Sequence, residues 1–363
     1  VLKPEISAPQ AVNSLVKIQK PESLKRLTLT QPRKKKPLLP PEAYLKGILA
    51  GDRVLLGQAI TLVESQNPAH APLARHIVEA CLPHSGRSIR IGVTGSPGVG
   101  KSTFIEALGS YLIGQGHKVA VLAIDPSSKQ SKGSILGDKT RMNLLSARPE
   151  AFIRPSPAGD SLGGVAHKTR ETILLCEAAG HDVVLIETVG VGQSETAVHS
   201  MADFFLLLLL PGAGDELQGI KRGIVEMADL LAVNKADGDR LQLAKESQRS
   251  YRNALHLFPP KESGWTPPVT LCSSLNQEGI ETVWQQVLEF QKTTTESGYF
   301  LRHRQEQAKY WLLEFIQEKM QRLFFENPAV KEQWALTEHK VINGEWSSLK
   351  GGEHLLGLFL ANT

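Results

Sequence analysis

The sequence predicts an α/β fold: a mostly parallel sheet wrapped by helices, with helical segments before and after it. Three observations lead there. Short runs rich in Val, Ile and Leu alternate with helix-period segments between Ser88 and Cys272, the pattern of repeated strand–helix units. One run, Phe204 to Leu210, is wholly apolar, as a strand covered on both faces must be. A glycine-rich turn, Gly95-Ser96-Pro97-Gly98-Val99-Gly100-Lys101-Ser102, lies between an apolar strand and an amphipathic helix.

Taken in order, residues 1–40 are rich in Pro, Lys, Gln and Thr without sustained periodicity, and read as a largely disordered basic tail. Residues 41–87 form a helical module. Leu45, Ile48 and Leu49, then Leu55, Leu56, Ile60 and Val63, recur at three-to-four-residue spacing; Asp52 is placed to cap the second helix, and a third spans about Ala71 to Leu82. The nucleotide-binding domain proper occupies 88–296. Its expected strands are 88–94, 118–124, a short one near Phe152, 183–187, 204–210, 230–234 and 269–272. A loop is expected around Gly163-Gly164 before a helix that ends at Gly180. Residues 297–363 form a helical arm. Ala308, Leu312, Phe315/Ile316, Met320 and Leu323 make a near-heptad seam ended by Asn327-Pro328. Such a stripe outside a sheet needs a partner: self-association is the expected cover, docking on the same chain the alternative.

The glycine-rich turn fits G-x-x-x-x-G-K-[ST], and its strand–turn–helix context is the one a phosphate-binding loop requires. Backbone N–H groups of Gly95 to Thr103 converge on phosphate oxygens, helped by the partial positive charge of the helix start. Lys101 is assigned to the β- and γ-phosphates and Ser102 to Mg²⁺. Asn234-Lys235-Ala236-Asp237 ends a hydrophobic strand and matches N-K-x-D. A carboxylate at Asp237 accepts from N1–H and the exocyclic amine of guanine, donors that adenine lacks, so GTP is favoured over ATP. Asn234 is placed to brace the loop, the Lys235 stem to cover the base, and Ser273-Ser274-Leu275 to close over it. Asp125 and Glu187 sit at strand carboxyl ends, where open α/β sheets place ligands. With Asp138 they are the candidate metal and water-ordering carboxylates. Glu187 opens Glu-Thr-Val-Gly, so the Gly190 N–H is positioned to sense a γ-phosphate and Gln193 to move with nucleotide state. The reaction implied is in-line attack of water on the γ-phosphate, slow without a partner because no arginine finger is evident. Asp215, Gln218 and Lys221 lie in a charged, glycine-containing loop that on sequence physics alone is as consistent with plain surface as with function.

Composition narrows the classes. With 41% hydrophobic and 21% charged residues the chain can bury a sizeable core, and a net charge of +4 at this length implies no large basic face. Neither nucleic acid nor membrane is an expected partner; the run Arg33 to Lys36 reads as solvated tail. The three cysteines are far apart in apolar surroundings, as reduced core residues are. No signal peptide is visible, and Glu5, Glu22 and repeated prolines argue against a transit peptide, so a cytoplasmic location is expected.

Together these strings resemble the GTPase family associated with methylmalonyl-CoA mutase. They are 61–65, the phosphate loop, Asp125-Pro-Ser-Ser, 137–142, Ile153-Arg-Pro, Leu162-Gly-Gly, 187–195, 214–221 and the N-K-x-D, spread over about residues 43–325. The resemblance implies a homodimeric P-loop G protein of the signal-recognition/MinD-like class, using the C-terminal helical arm to dimerise. Its implied ligands are GTP/GDP and Mg²⁺, and its implied partner is an adenosylcobalamin-dependent acyl-CoA mutase whose cofactor loading and protection it serves. It assigns Lys101, Ser102, Asp125, Asp138 and Glu187 to phosphate, metal and catalysis, and Asp237 to guanine. It also places Asp215, Gln218 and Lys221 in a mobile switch that couples the mutase to the GTP site. Similar sequences have also been called kinases of an arginine/ornithine transport system. Two other classes stay open on the sequence: a nickel-delivery GTPase, which usually carries Cys/His ligands not seen here, and an ATP-using transport-system kinase, which the N-K-x-D disfavours.

Overall fold

The computed structural model describes residues 38–124, 142–155, 162–188, 194–212 and 222–361. Among these residues are seven strands: β1 (Ile89–Gly95), β2 (Val119–Ile124), β3 (Ala151–Arg154), β4 (Val183–Thr188), β5 (Phe204–Leu209), β6 (Leu230–Val233) and β7 (Val269–Leu271). They form one sheet in the order β3-β2-β4-β1-β5-β6-β7, with every neighbouring pair parallel. β1 is central. The chain builds β2, β3 and β4 on one side of it, then crosses to β5, β6 and β7 on the other. That reversal opens a crevice at the carboxyl ends of β4, β1 and β5, which is where the glycine-rich turn emerges.

Alternation of side chains explains why the strands are apolar throughout. In β4, Val183 and Leu185 face one core while Val184 and Ile186 face the other. The first core is filled by α4 (Lys101–Gly114) and α10 (Ile280–Glu296), through Phe104, Ile105, Leu108 and Val283, Trp284, Val287. The second takes α1 (Pro41–Leu49), α2 (Arg53–Glu64), α3 (Ala71–Cys81) and α6 (Leu162–Ala178), together with residues of α7 (Ser194–His199). Burying a Leu or Ile side chain is worth about 1.5–3 kcal/mol, so these two faces supply most of the drive to fold. A short α5 (Asn143–Ser146) precedes β3; α8 (Arg222–Met227) and α9 (Leu241–Leu255) cover β6 and β7 through Val225, Ala244 and Tyr251.

The expected N-terminal helices are present, with Asp52 accepting from the Val54 and Leu55 N–H groups at 2.8 and 3.1 Å. They carry a polar link as well: Glu64 pairs with Arg154 at the end of β3, and its carbonyl accepts from Lys168 Nζ at 2.7 Å. Gly163 and Gly164, expected in a loop, lie within the first turn of α6. Glycine is a poor interior helix residue but tolerable at a helix start, where fewer backbone bonds depend on it.

Beyond α10 come α11 (Tyr299–Glu326), α12 (Pro328–Ile342) and α13 (Ser348–Ala361). α11 stops where the sequence indicated, because Asn327 begins a cap whose side chain accepts from Ala329 and Val330 N–H groups. Its first half docks on the sheet domain, with Trp311 buried in the second core. The seam residues Leu312, Phe315, Ile316, Met320 and Leu323 are exposed, Leu312 to 60%. All three cysteines are buried and unpaired. No helix among the described residues is long and apolar enough to cross a membrane.

Candidate nucleotide site

The phosphate loop runs from the end of β1 into α4. Gly95, Gly98 and Gly100 take φ of +151°, +80° and +97°, values that side chains rarely tolerate. At Gly95 a Cβ would also meet the Leu208 carbonyl at 2.5 Å, so the chain turns there only because glycine is present. Gly100 caps α4 with no side-chain hydrogen bond, leaving the first N–H groups of a 14-residue helix for an external acceptor. This backbone fits an oxyanion.

Lys101 is 9% exposed; its ammonium donates to the carbonyls of Gly95 at 2.7 Å and Ser96 at 3.3 Å. Burial lowers its pKa, against the opposing pull of the Glu187 and Glu195 carboxylates. A desolvated cation folded onto its own loop is ready to exchange carbonyl partners for a stronger anion. Ser102 Oγ donates to Glu187 Oε1 at 2.9 Å. Glu187 arrives on β4, where it stands beside Val93 of β1, so strand register brings together two residues far apart in the chain. A hydroxyl and a carboxylate in contact are the hard oxygen donors that suit Mg²⁺. Just below, Thr188 Oγ1 donates to Thr94 Oγ1 at 3.0 Å, tying the ends of the same two strands.

The second half of the site is held to the first by two bonds, one from Asn234 and one from Lys235. Asn234 Nδ2 donates to the Val99 carbonyl at 2.8 Å, and its Oδ1 accepts from the Ser274 N–H and hydroxyl at 3.1 and 2.7 Å. Lys235, at φ +58°, sends its ammonium to the Gly98 carbonyl at 2.7 Å. Gly100 lies so close to Asn234 Nδ2 that a Cβ would sit 2.9 Å away. Asp237 accepts from the Ser273 hydroxyl, which fixes the carboxylate at the end of its loop. Ser273 and Ser274 are buried, whereas Leu275 is 80% exposed. Thus Gly95, Ser96, Pro97, Gly98, Val99, Gly100, Lys101, Ser102, Thr103, Glu187, Asn234, Lys235, Asp237 and Ser273 to Leu275 lie at one end of the sheet.

Asp125, Asp138, Gly190, Gln193, Asp215, Gln218 and Lys221 fall outside the described residues, as does the tail over residues 1–37. Glu195, 4% exposed in α7 and acting electrostatically on Lys101, is a further charge at the site. Its signal was faint: it is only the last letter of the string that begins at Glu187. The Thr94–Thr188 pair had no signal at all.

Comparison with known proteins agrees with this geometry. A family model described as methylmalonyl-CoA mutase-associated GTPase MeaB matches residues 56–329. A protein of Caulobacter vibrioides described as a GTPase is 51% identical over 312 residues, covering 86% of this chain and 95% of its own. GTPase ArgK of Escherichia coli is 46% identical over 307 residues, 85% of this chain and 93% of its own. The mitochondrial methylmalonic aciduria type A homolog of Mus musculus is 46% identical over 323 residues, 86% of this chain and 78% of its own. Among solved structures, that of an LAO/AO transport system kinase superposes with a TM-score of 0.72 at 38% identity, covering 89% of this chain and 100% of that one.

Proposed function

The chain belongs to the family of methylmalonyl-CoA mutase-associated GTPases, and on that footing we propose that it is a GTP-hydrolysing chaperone of an adenosylcobalamin-dependent acyl-CoA mutase. In this reading GTP binding and hydrolysis gate loading of the cofactor and protect the mutase. Hydrolysis is slow alone and stimulated by the partner, and the protein works in the cytoplasm as a homodimer.

The observation that carries the reading is the bracing of the phosphate loop by the N-K-x-D loop. Asn234 and Lys235 each hold a phosphate-loop carbonyl while Asp237, three residues from Asn234, is aimed by Ser273. Phosphate recognition and base recognition are thereby set at a fixed distance, and the Asp237 carboxylate, as acceptor for guanine N1–H and the exocyclic amine, selects the base. Lys101 gives up the Gly95 and Ser96 carbonyls for phosphate oxygens and balances charge that develops during attack by water. Ser102 and Glu187, with Asp125 and Asp138 as further candidates, would hold Mg²⁺, which would supply additional charge neutralisation at the phosphates. Gly190, Gln193, Asp215, Gln218 and Lys221 are assigned to the segments that report nucleotide state to the mutase. Self-association is supported by the exposed seam of α11 and by a groove of about 500 Å³ lined by Phe324, Phe325, Trp334, Val341 and Ile342.

The test is GTP turnover by the purified chain with and without a purified cobalamin mutase, beside titration calorimetry of Asp237→Ala. Loss of two charge-assisted hydrogen bonds to guanine, each worth about 1.5–3 kcal/mol, predicts GTP binding weakened by at least ~10²-fold. Unchanged affinity in the variant removes the guanine assignment; equal turnover with and without the mutase removes the partner.

A further inference from the structure

α7 stands between the phosphate site and the C-terminal helices. Its first turn carries the buried Glu195, whose carboxylate acts on the Lys101 ammonium together with that of Glu187. Its middle is pressed onto β1, the strand that delivers the phosphate loop. A Cβ at Gly92 would lie 2.7 Å from Val198 Cγ1 and 2.8 Å from Phe205 Cδ2, so glycine is what permits the approach. Its last residue leads into the corner Ser200–Asp203, which enters β5.

α11 grips that corner with three side chains spaced three and four residues apart, hence on one helix face. Arg304 donates to both carboxylate oxygens of Asp203 at 2.7 Å. Gln307 Nε2 donates to the Ala202 carbonyl at 2.7 Å. Trp311 Nε1 donates to the Ser200 carbonyl at 3.0 Å. Successive turns of the arm therefore hold Asp203, Ala202 and Ser200 of the corner. Because two of the acceptors are backbone carbonyls, the grip reports where the corner is rather than which side chains it carries.

One atom in this contact is out of balance. Gln307 Oε1 is buried with no hydrogen-bond partner among the described residues, while Nε2 is shared between Ala202 and His303 Nε2 at 3.0 Å. A buried acceptor left unpaired costs about 1–3 kcal/mol. The contact is therefore held short of its optimum, which lowers the cost of a second arrangement of arm and corner. Immediately beyond the stripe, from Leu312 onward, α11 presents its exposed apolar seam.

We propose that α7 and the Arg304–Gln307–Trp311 stripe couple the phosphate site to the C-terminal arm, so that the ligand at Lys101 biases the arm and the arm biases which nucleotide is held. The inference rests on the GTP site described above. Coupling of this kind is reciprocal, so it is readable from either end.

The experiment uses the full chain. Amide hydrogen exchange is followed with GDP and with a non-hydrolysable GTP analogue plus Mg²⁺, and affinities for both are measured by calorimetry. In the parent, replacing GDP by the analogue should change protection over residues 303–312 of α11 as well as over α7. Trp311→Phe keeps an aromatic ring, though a smaller one, and deletes the donor to Ser200; it should suppress the change in α11 and shift the ratio of analogue to GDP affinity by about fivefold or more. Gln307→Met, which removes the donor and the unpaired acceptor together, is the second variant. The parent measurement stands without either. Analogue binding that leaves α11 protection unchanged overturns the coupling, as does an affinity ratio unaltered in both variants. Failure of the parent to bind the analogue at all overturns the GTP site itself and the coupling with it.

Discussion

The two ends of β1 are built on opposite terms. At its carboxyl end the groups are held by bonds that can be exchanged: Lys101 donates to loop carbonyls, Ser102 to Glu187, and three glycines at positive φ keep the backbone clear of side chains. At its amino end the partners are fixed. Arg90 makes a two-armed pair with Glu177, which also accepts from Ser88 Oγ and Gly86 N–H. Asp203 accepts from the Arg90 N–H and from Arg304, which reaches on to the carbonyls of Gly86 and Ser88 at 2.5 and 2.6 Å. Burial pushes Glu177 up, yet Arg90 and the Ser88 and Gly86 donors together hold its carboxyl below the usual range. One end is arranged to let go of its partners and the other to keep them. A strand anchored below can move its loop above without losing register, and the arm meets the anchored end through Arg304.

The contrast is broken most severely at Asp203. Its side chain is 1% exposed, and Asp203→Ala leaves the Arg304 guanidinium buried among carbonyls without its carboxylate. Removing one partner of a buried ion pair costs about 3–5 kcal/mol, and urea unfolding monitored by circular dichroism should show a loss of that size. A loss under about 1 kcal/mol would mean that the amino end is no more fixed than the loop.

Acid probes the same end more gently. Burial lowers His199 to a pKa of about 4, with Asp229 opposing and His303 and Lys261 adding to the shift. A folded pKa below the unfolded value means that the unfolded chain takes the proton first. Stability from this group is therefore intact above about pH 6.5, falls as pH drops through the window down to about 4, and levels off below it, by roughly 3–4 kcal/mol in all. His181 is lowered in the same direction, so the parent's total loss is shared. The expected outcome is a drop in urea midpoint between pH 7 and pH 5 that is clearly smaller in His199→Phe. An identical drop would place the acid sensitivity elsewhere.

What was legible in the sequence divides along the same line. The phosphate loop, the N-K-x-D and the carboxylate at Glu187 were readable because each is a short string whose chemistry requires those letters at a strand end. The all-apolar run 204–210 announced a strand covered on both faces. Arg304 with Asp203 and Arg154 with Glu64 were not readable, since nothing local distinguishes a charged residue that will be buried from one that will be solvated. α7 escaped because six residues span fewer than two turns and show no period. Gly163 and Gly164 misled for the opposite reason: their local preference for a loop is outweighed by the helix that packs α6 on the sheet.

The smallest effect sharpens the carboxyl end. Thr188 Oγ1 donates to Thr94 Oγ1 at 3.0 Å between side chains that are essentially fully buried, one residue after Glu187 and one before Gly95. Thr188→Val keeps the shape and deletes one neutral hydrogen bond, so it should cost about 1 kcal/mol in unfolding experiments. If this end is held by exchangeable bonds, such a loss stays local. Without nucleotide, so that no ligand at Lys101 engages the coupling through α7, the Arg304–Asp203 anchor at the opposite end of the sheet should add its cost to that of Thr188→Val, since sites without shared partners are additive within about 0.3–0.5 kcal/mol. A Thr188→Val/Asp203→Ala double variant that departs from the sum by more than that margin would show the two ends to be one cooperative structure. The rigid anchor would then no longer be separable from the loop that it supports.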